Sequence, residues 1–296
     1  MGSADRQSEI RDFLASRRAR ISPEQAGVPV FGGSRRVPGL RREEVAHLAG
    51  VSVDYYTRIE RGKIEGASPE VLEAIARALQ LDDVERDHLR NLIRARQPRP
   101  SRRRTASEKT LVRLQLVVDA ITVPAFVQNP RLDIVAANAI GKAVYSLPAD
   151  GSGLPHNHLL FQFLDPRAGD FYEEPDLVRH NGVALLRAAA GRDPHDEQLM
   201  GLVGRLSMQS EEFRTLWGAH DVLRYRGGAK RYNHPTVGRL EFGYESFEVS
   251  SEPGLTLMVY SVEPQSATAE ALALLASWTA LPAAPDPGNR RSDTAQ

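Results

Sequence analysis

Cysteine is absent from this chain of 296 residues, and so is any long uninterrupted run of apolar residues. Without cysteine, disulfide bonds and thiolate metal sites are excluded, and nothing indicates an oxidising compartment. No segment approaches the ~18 apolar residues of a membrane-spanning helix, and the N-terminal residues lack the apolar core of a signal peptide. We therefore expect a cytoplasmic protein that makes no contact with a membrane.

The chain also lacks a net charge, because 38 Lys and Arg balance 38 Asp and Glu. The two signs are unevenly distributed: residues 1–105 carry 21 basic against 15 acidic residues, and the remainder carries 17 against 23. A basic surface attracts a phosphate backbone, whereas an acidic one is repelled by it. The charge therefore favours nucleic-acid binding by the N-terminal part only.

The segment 40–63 predicts two short helices joined by a tight turn. Val45 and Leu48 lie at helical spacing and are expected to face inward, and Gly50 supplies the left-handed residue that ends the first helix. Ser52 is expected to cap a second helix over 53–61. A helix-turn-helix of this kind presents the start of its second helix to the DNA major groove.

The flanking patterns predict two domains. Helices at 8–20, from Ser68 and from Asp82 complete an all-α N-terminal five-helix domain over 1–95. A linker rich in Pro, Arg and Ser follows at 96–107. The second domain, 108–280, is expected to be α+β with an antiparallel sheet: a helix at 108–120, a hairpin at 124–138, mostly helix over 161–219, strands from 221 and a last helix at 266–280. A disordered tail is predicted for 281–296.

Several motifs carry a family resemblance. GVSVDYYTRIERGK resembles the signature of XRE-type, lambda-repressor-like helix-turn-helix regulators. The longer pattern VPGLRREEVAHLAGVSVDYYTRIERG, followed by SPEVLEAIARALQLDDVERDHL and later by FLDP, EFRTLWGAHDV, KRYNHPTVG and MVYSVEP, resembles the MmyB-like actinobacterial branch. The resemblance covers nearly the whole chain. It implies a DNA-binding transcriptional regulator with a PAS-like C-terminal domain, and one relative is associated with fatty-acid binding.

The resemblance also implies a set of DNA contacts. Arg42 corresponds to a phosphate contact at the start of the positioning helix, and residues 52–55 correspond to the groove-entering end of the recognition helix. Arg58 is the best candidate for a bidentate guanine contact, and Asp54 can accept from cytosine. We expect Glu60 to pair with Arg17 or Arg18 instead of touching DNA. The expected DNA-binding residues are Arg41, Arg42, Ser52, Val53, Asp54, Tyr55, Thr57, Arg58, Arg61 and Lys63.

The second domain contains no recognisable catalytic motif. His156 and His158 lie in a loop flanked by Gly and Pro, and no further residues are spaced as metal ligands. We therefore predict no enzyme activity, no metal and no cofactor. A cavity for a small apolar or carboxylate ligand, such as a fatty acid, is the favoured interpretation. The expected ligand-binding residues are Trp217, His220, Arg226, Lys230, Arg231 and His234.

Together these patterns predict a homodimer that binds a pseudo-palindromic operator in double-stranded DNA. Its two recognition helices would lie about one DNA turn, ~34 Å, or a multiple of it apart. A ligand in the second domain would change that spacing. Two alternatives remain open at this point. The second domain is either a ligand-free interaction and dimerisation module, or an enzyme domain, such as a hydrolase in which His220 lies within hydrogen-bond reach of a serine or a carboxylate in a pocket.

Overall fold

The computed structural model describes residues 3–28, 37–64, 66–94, 107–147, 156–224 and 227–280. The tail predicted at 281–296, all but Ser107 of the linker predicted at 96–107, and Arg226 lie outside these described residues. The N-terminal part is helical. Its described elements are α1 (Ser3–Arg20), α2 (Arg42–Leu48), α3 (Val53–Glu60), α4 (Pro69–Ala78) and α5 (Asp83–Arg94).

Local capping accounts for where these helices begin. Ser52 caps α3 by accepting the Tyr55 amide at 3.2 Å. Asp82 and Glu85 form the reciprocal capping box that the sequence predicts at the start of α5. Gly50, in the turn between α2 and α3, has a φ of +67°, which is strained for other residues.

The helices α1 to α5 enclose a core that includes Phe13, Val45, Tyr56 and Ile59, all 1% exposed or less. The prediction that Leu48 faces inward is wrong, because Leu48 is 38% exposed. Ala46 is fully buried instead, so the inward face of α2 is formed by 45, 46 and 49. The exposed edge of α2 therefore carries an apolar side chain beside the turn.

The C-terminal part combines one antiparallel sheet with helices. The sheet has the strand order β3-β2-β1-β6-β5-β4. The described elements of the C-terminal part are, in chain order, α6 (Glu108–Asp119), β1 (Ala125–Gln128), β2 (Asp133–Ala137), α7 (Ala139–Val144), β3 (His156–Asn157), α8 (His158–Leu164), α9 (Ala168–Phe171), α10 (Pro175–Arg192), α11 (Glu197–Gln209), α12 (Glu211–Gly218), β4 (Gly228–His234), β5 (Gly238–Glu248), β6 (Thr256–Ser261) and α13 (Ala267–Ala280).

Two local predictions in this part are corrected. The segment predicted as a loop around His156 forms the short strand β3, because its backbone pairs with Asp133 and Ile134 of β2. The strand predicted from 221 begins only at Gly228, since 221–224 carry no regular structure and pack against neighbouring helices instead.

The alternation of side chains along β1 gives the sheet two different faces. Val127 points to one face, where α6 covers it through Leu114 and Val118. Phe126 points to the other, where α7, α9 and α13 complete a second apolar cluster. Gln128 shares that face with Phe126. The second face, covered by helices, is therefore where a cavity can form.

The two predicted domains are in contact through α10. This helix packs against α5, and Ala188 and Val222 from the C-terminal part belong to the N-terminal core. Among the described residues, no helix has both the length and the apolar character needed to cross a membrane.

Candidate DNA interface and ligand cavity

The start of α3 forms an exposed surface. Val53 is 45% exposed, Ser52, Asp54 and Arg58 are also exposed, and Tyr55 and Thr57 are half-buried. The Arg58 guanidinium lies over the Tyr55 ring, 4.9 Å from its centroid. This stacking on the ring restricts the position of the guanidinium, so Tyr55 pre-orients Arg58.

Cationic side chains surround this surface. Arg41, Arg61 and Lys63 are exposed. Arg42 is half-exposed and pairs with Glu60, a carboxylate that is 1% exposed.

Glu60 also accepts a hydrogen bond from Arg18 at 2.9 Å, which confirms the prediction that Glu60 pairs with Arg17 or Arg18. The sequence did not predict the pair between Glu60 and Arg42. Glu60 therefore positions Arg42 beside the start of α2, where the Arg42 side chain is still 48% exposed.

A cavity of about 100 Å³ lies between the sheet and helices α8 and α10. Strands β1, β4 and β6 supply one wall, through Phe126, Lys230 and Tyr260 among others. The helices supply the opposite wall, including His158, Gln162 and Asn181. The lining combines aromatic, aliphatic and polar side chains, with Leu132, Val178 and Leu185 among the aliphatic ones, so it suits a small molecule that has both apolar and polar parts.

Three tyrosine hydroxyls meet at the base of this cavity. Tyr145 lies 3.0 Å from Tyr232 and 2.6 Å from Tyr260, and the latter two are 2.8 Å apart. Burial, followed by the neighbouring phenols, raises the pKa of Tyr232 well above its ordinary value. The phenols therefore stay neutral and give the cavity a fixed polar floor.

Lys230 is the cation of the cavity wall. Its Nζ lies 5.1 Å from the centroid of the Tyr244 ring, and within the described residues it makes no ion pair. Desolvation lowers the pKa of Lys230 to about 8. At pH 7 the ammonium is still charged, and this charge lacks a carboxylate partner.

The other residues predicted to bind the ligand have different surroundings. Arg231 lies at the rim, paired with Glu241 at 3.0 Å and Glu174 at 3.4 Å. His234 Nε2 donates to the Ala143 carbonyl at 3.1 Å, and its Nδ1 accepts the Thr236 amide. His234 therefore closes a turn outside the cavity, because both ring nitrogens are used by backbone groups.

Trp217 and His220 lie at the contact between the N-terminal and C-terminal parts, not in the cavity. The Trp217 ring stacks on Phe213 and receives the Arg187 guanidinium 3.9 Å from its centroid. His220 Nδ1 lies 3.6 Å from a Glu9 carboxylate oxygen. His220 thus faces a helix of the N-terminal part and does not reach the cavity. The hydrolase alternative would require His220 to lie in the cavity.

A buried arginine, Arg187, lies at the centre of the contact between the N-terminal and C-terminal parts, and no sequence motif indicates it. Arg187, 2% exposed, donates to Glu9 of α1 and to the Trp217 carbonyl. Burial raises the pKa of Glu9, but the contact with His220 and the charge of Arg187 outweigh this and lower it to about 2. Glu9 and Arg187 therefore remain a charged pair at neutral pH.

A second ion-pair group borders Arg187. Asp221 accepts from Arg17 at 3.2 Å and from Arg20 at 2.5 Å, and Arg17 also pairs with Glu85. His88 of α5 packs against Gly191, where an added β-carbon would lie 2.5 Å from the His88 ring. The contact therefore combines buried charges with a close helix approach.

His158 lies in the short His156–His158 segment, for which the sequence predicts no metal site. It is 6% exposed and packs at 5.1 Å against the Tyr145 ring, and burial lowers its pKa well below the ordinary value. Across the described ranges, no group of three His, Asp or Glu side chains is arranged to hold a metal ion.

Family models agree with this division of the chain. The model described as the MmyB-like transcription regulator ligand binding domain matches residues 112–275, more than half of the chain. The chain belongs to the MmyB-like transcription regulators. A helix-turn-helix domain model matches residues 9–89, and no curated protein matches the chain. This MmyB-like regulator therefore carries its DNA-binding helices in α1 to α5, and its cavity lies inside the ligand-binding domain.

Proposed function

We propose that this DNA-binding transcriptional regulator senses a small molecule in its cavity and transmits the occupancy to the DNA-binding helices through α10. One observation carries the proposal. Asn181 and Leu185 in the middle of α10 line the cavity, while Arg187, Ala188 and Gly191 nearer its C-terminal end contact α1 and α5. A rigid helix that forms a wall of both sites can couple them, provided that the ligand prefers one of two positions of the helix.

The segment after α12 supports the same route. Leu223 lines the cavity and its amide donates to the Ala184 carbonyl of α10, while the neighbouring Val222 is part of the N-terminal core. Leu223 and Val222 are adjacent in the chain, and they belong to the cavity and to the N-terminal core respectively. A displacement of one of them therefore moves the other.

The proposed contacts to DNA remain accessible in this arrangement. The contact with α10 uses Glu9 and Arg17 of α1 and His88 of α5, and it leaves the exposed surface of α3 uncovered. We infer that the ligand acts by changing how two DNA-binding domains are spaced, because occlusion of α3 is not needed. Direct readout by Asp54 and Arg58 would give the sequence preference.

The proposal includes a homodimer, as palindromic operators require. Helix α6 supports it with three exposed apolar side chains, Val112, Leu116 and Val117, which are 57%, 68% and 52% exposed. An apolar stripe of this kind on a helix packs favourably against a second copy of itself. The antiparallel sheet with helices and a cavity on one face also supports the PAS-like interpretation of the domain.

The coupling is tested with Gly191→Ala, because an added methyl group would force α10 away from His88. Gly204→Ala on α11 is the matched control, since nothing lies within 4 Å of its added β-carbon. Fluorescence anisotropy with a fragment of the protein's own promoter should show a several-fold change in Kd for Gly191→Ala only. Equal Kd values for the two variants would contradict the route through α10, and no sequence-selective binding by either would contradict the regulator.

The dimer is tested by analytical ultracentrifugation of Leu116→Glu. The substitution should convert the dimer to a monomer, while Met208→Glu, on another helix and 79% exposed, should leave the mass unchanged. A wild-type monomer at micromolar concentration would contradict the proposed homodimer.

The fatty-acid ligand suggested by the resemblance stays a prediction, as does the cytoplasmic location. A ligand-free interaction module is one of the two alternatives that the sequence left open. Lys230 lies half-buried in the cavity wall without a carboxylate partner, which favours a ligand over that alternative, because a partly desolvated ammonium gains from contact with an anion.

A further inference from the structure

His88 of α5 is a buried histidine at the contact between the N-terminal and C-terminal parts. It is 3% exposed, and neither ring nitrogen has a hydrogen-bond partner in the described residues. The ring packs edge-on against Phe13 of α1, with 5.0 Å between the ring centroids, and against Gly191 of α10. Buried polar atoms are hydrogen-bonded in most proteins, so a histidine that is kept without partners calls for a functional explanation.

A proton on His88 would find neither a free counter-ion nor room for water while this contact is closed. The charged and titratable side chains that face it from the packed elements are Glu9 and Arg17 of α1, Arg187 and Arg192 of α10, and His220 and Arg224 after α12. Glu9 is paired with Arg187, and Asp87 on α5 itself is paired with Arg224. The depression that His88 lines beside Arg192 has a volume of about 10 Å³, the lower limit for one water molecule. An imidazolium is therefore unfavourable in the closed contact.

Two other histidines at the contact have the opposite preference. His220 Nδ1 lies 3.6 Å from a Glu9 carboxylate oxygen, and His180 Nε2 lies 3.7 Å from an Asp221 carboxylate oxygen. A proton on either ring would face a carboxylate and would strengthen the closed contact. Of these three histidines, His88 is thus the one whose protonation favours an open contact, because opening exposes its ring to water.

We propose that the contact between α5 and α10 is a pH-sensitive switch, which is closed while His88 is neutral and opens when His88 takes up a proton from the solvent. Opening separates the DNA-binding helices from the ligand-binding domain without unfolding either part. The switch goes beyond the proposed ligand sensing, because it needs neither a ligand nor DNA. It makes acidification a second input that acts on the same helix, α10.

The direction of the response follows from the difference between the two states. Burial lowers the pKa of His88 from 6.5 to about 3; the charge of Glu9 opposes this shift, and the charges of Arg187 and Arg17 add to it. In the open state the ring regains its ordinary pKa of about 6.5, so the open state binds a proton that the closed state does not. The closed state is therefore fully favoured above about pH 6.5 and is progressively lost as the pH falls below that value. Glu9, whose pKa is about 2, stays ionised throughout.

The test measures how often the contact opens, with cysteine as a reporter in a chain that has none. Ala188→Cys and Val222→Cys each place one thiol at the contact, where the native side chains are 7% and 9% exposed. Met208→Cys, at a position that is 79% exposed, gives the rate of an always accessible thiol at each pH. The rate of reaction with dithiodipyridine, divided by that reference rate, gives the open fraction. We expect this quotient to rise about tenfold from about pH 7.5 to about pH 5.5 at both reporters.

Matched variants assign the response to His88. His88→Phe and His88→Leu in the reporter chains should abolish the rise, because neither side chain binds a proton. His47→Gln, which removes an exposed histidine of α2, should keep it. Ala78→Cys is the control for unfolding, since Ala78 is 8% exposed in the same N-terminal core but lies on α4, and its quotient should stay unchanged.

Three outcomes would overturn the proposal. The first is an unchanged quotient at both contact reporters, and the second is a rise that persists in both His88 variants. The third is a parallel rise at Ala78→Cys, which would assign the effect to unfolding of the N-terminal part. The measurement uses neither DNA nor a ligand, so its failure leaves the ligand-sensing proposal to be judged by the Gly191→Ala experiment.

Discussion

Replacing Glu9 by Gln should separate the DNA-binding helices from the ligand-binding domain. Glu9 is the carboxylate partner of Arg187, whose side chain is 2% exposed. Removing one member of a buried ion pair costs about 3–5 kcal/mol, because the remaining charge is left buried without compensation. We expect the contact to open before either part unfolds, because this loss falls on the contact and is smaller than the about 5–15 kcal/mol by which a whole domain is typically stable.

The assay is differential scanning calorimetry with hydrogen exchange of α10. Wild-type protein should unfold in one transition, and Glu9→Gln should unfold in two, with faster exchange along the side of α10 near Ala188. Asp87→Asn is the control, because Asp87 pairs with Arg224 across the same contact but both side chains are well exposed. An exposed pair contributes about 0–1 kcal/mol, so the control should keep the single transition.

The reasoning is refuted if Glu9→Gln behaves like Asp87→Asn. A further check is the double variant Glu9→Leu with Arg187→Met, which removes both buried charges at once. It should recover much of the stability lost in Glu9→Gln, because two apolar side chains need no compensation. Failure to recover would assign the cost to packing and not to charge.

Three further predictions concern DNA contacts and pH. Arg42→Ala should weaken binding to all DNA sequences and lower the slope of log K against log salt by about one unit, measured by anisotropy titration. Arg58→Ala should relax preference at one base position, by about 1–3 kcal/mol, in a selection from random DNA; an unchanged sequence profile would reject the assignment. Desolvation lowers the pKa of His88 from 6.5 to about 3, so its contribution to stability is lost as pH falls through that window. In urea titrations, His88→Phe should remove about 1.4 kcal/mol per pH unit of the slope below pH 6; an unchanged slope would contradict this.

The helix-turn-helix could be predicted because its signals are local. Gly50, Ser52 and the apolar spacing of Val45 and Ile59 all lie within one short segment, and the capping contacts form between near neighbours. Leu48 was misassigned because the inward face of a seven-residue helix depends on the angle at which it packs, which its own sequence does not specify.

The cavity and the contact between the two parts were less predictable. Arg187 meets Glu9 across 178 positions of sequence, and such pairs have no periodic signature. Gln128 did carry a signal, since it occupies the same face as Phe126 in a strand that is buried throughout. Lys230 and Arg231 were both predicted to bind the ligand. The alternation of side chains along β4 places Lys230 toward the cavity and Arg231 at the rim, where Arg231 pairs with Glu241.

The contact around Arg187 has a consequence for engineering. The DNA-binding domains of regulators are often treated as interchangeable modules that can be fused to a chosen sensor domain. If a DNA-binding domain without counterparts of Glu9 and Arg17 were fused to this ligand-binding domain, Arg187 and Asp221 would lose these counter-ions. A functional chimera must therefore exchange these four residues as one unit, and the sequence on both sides of the linker has to be chosen together.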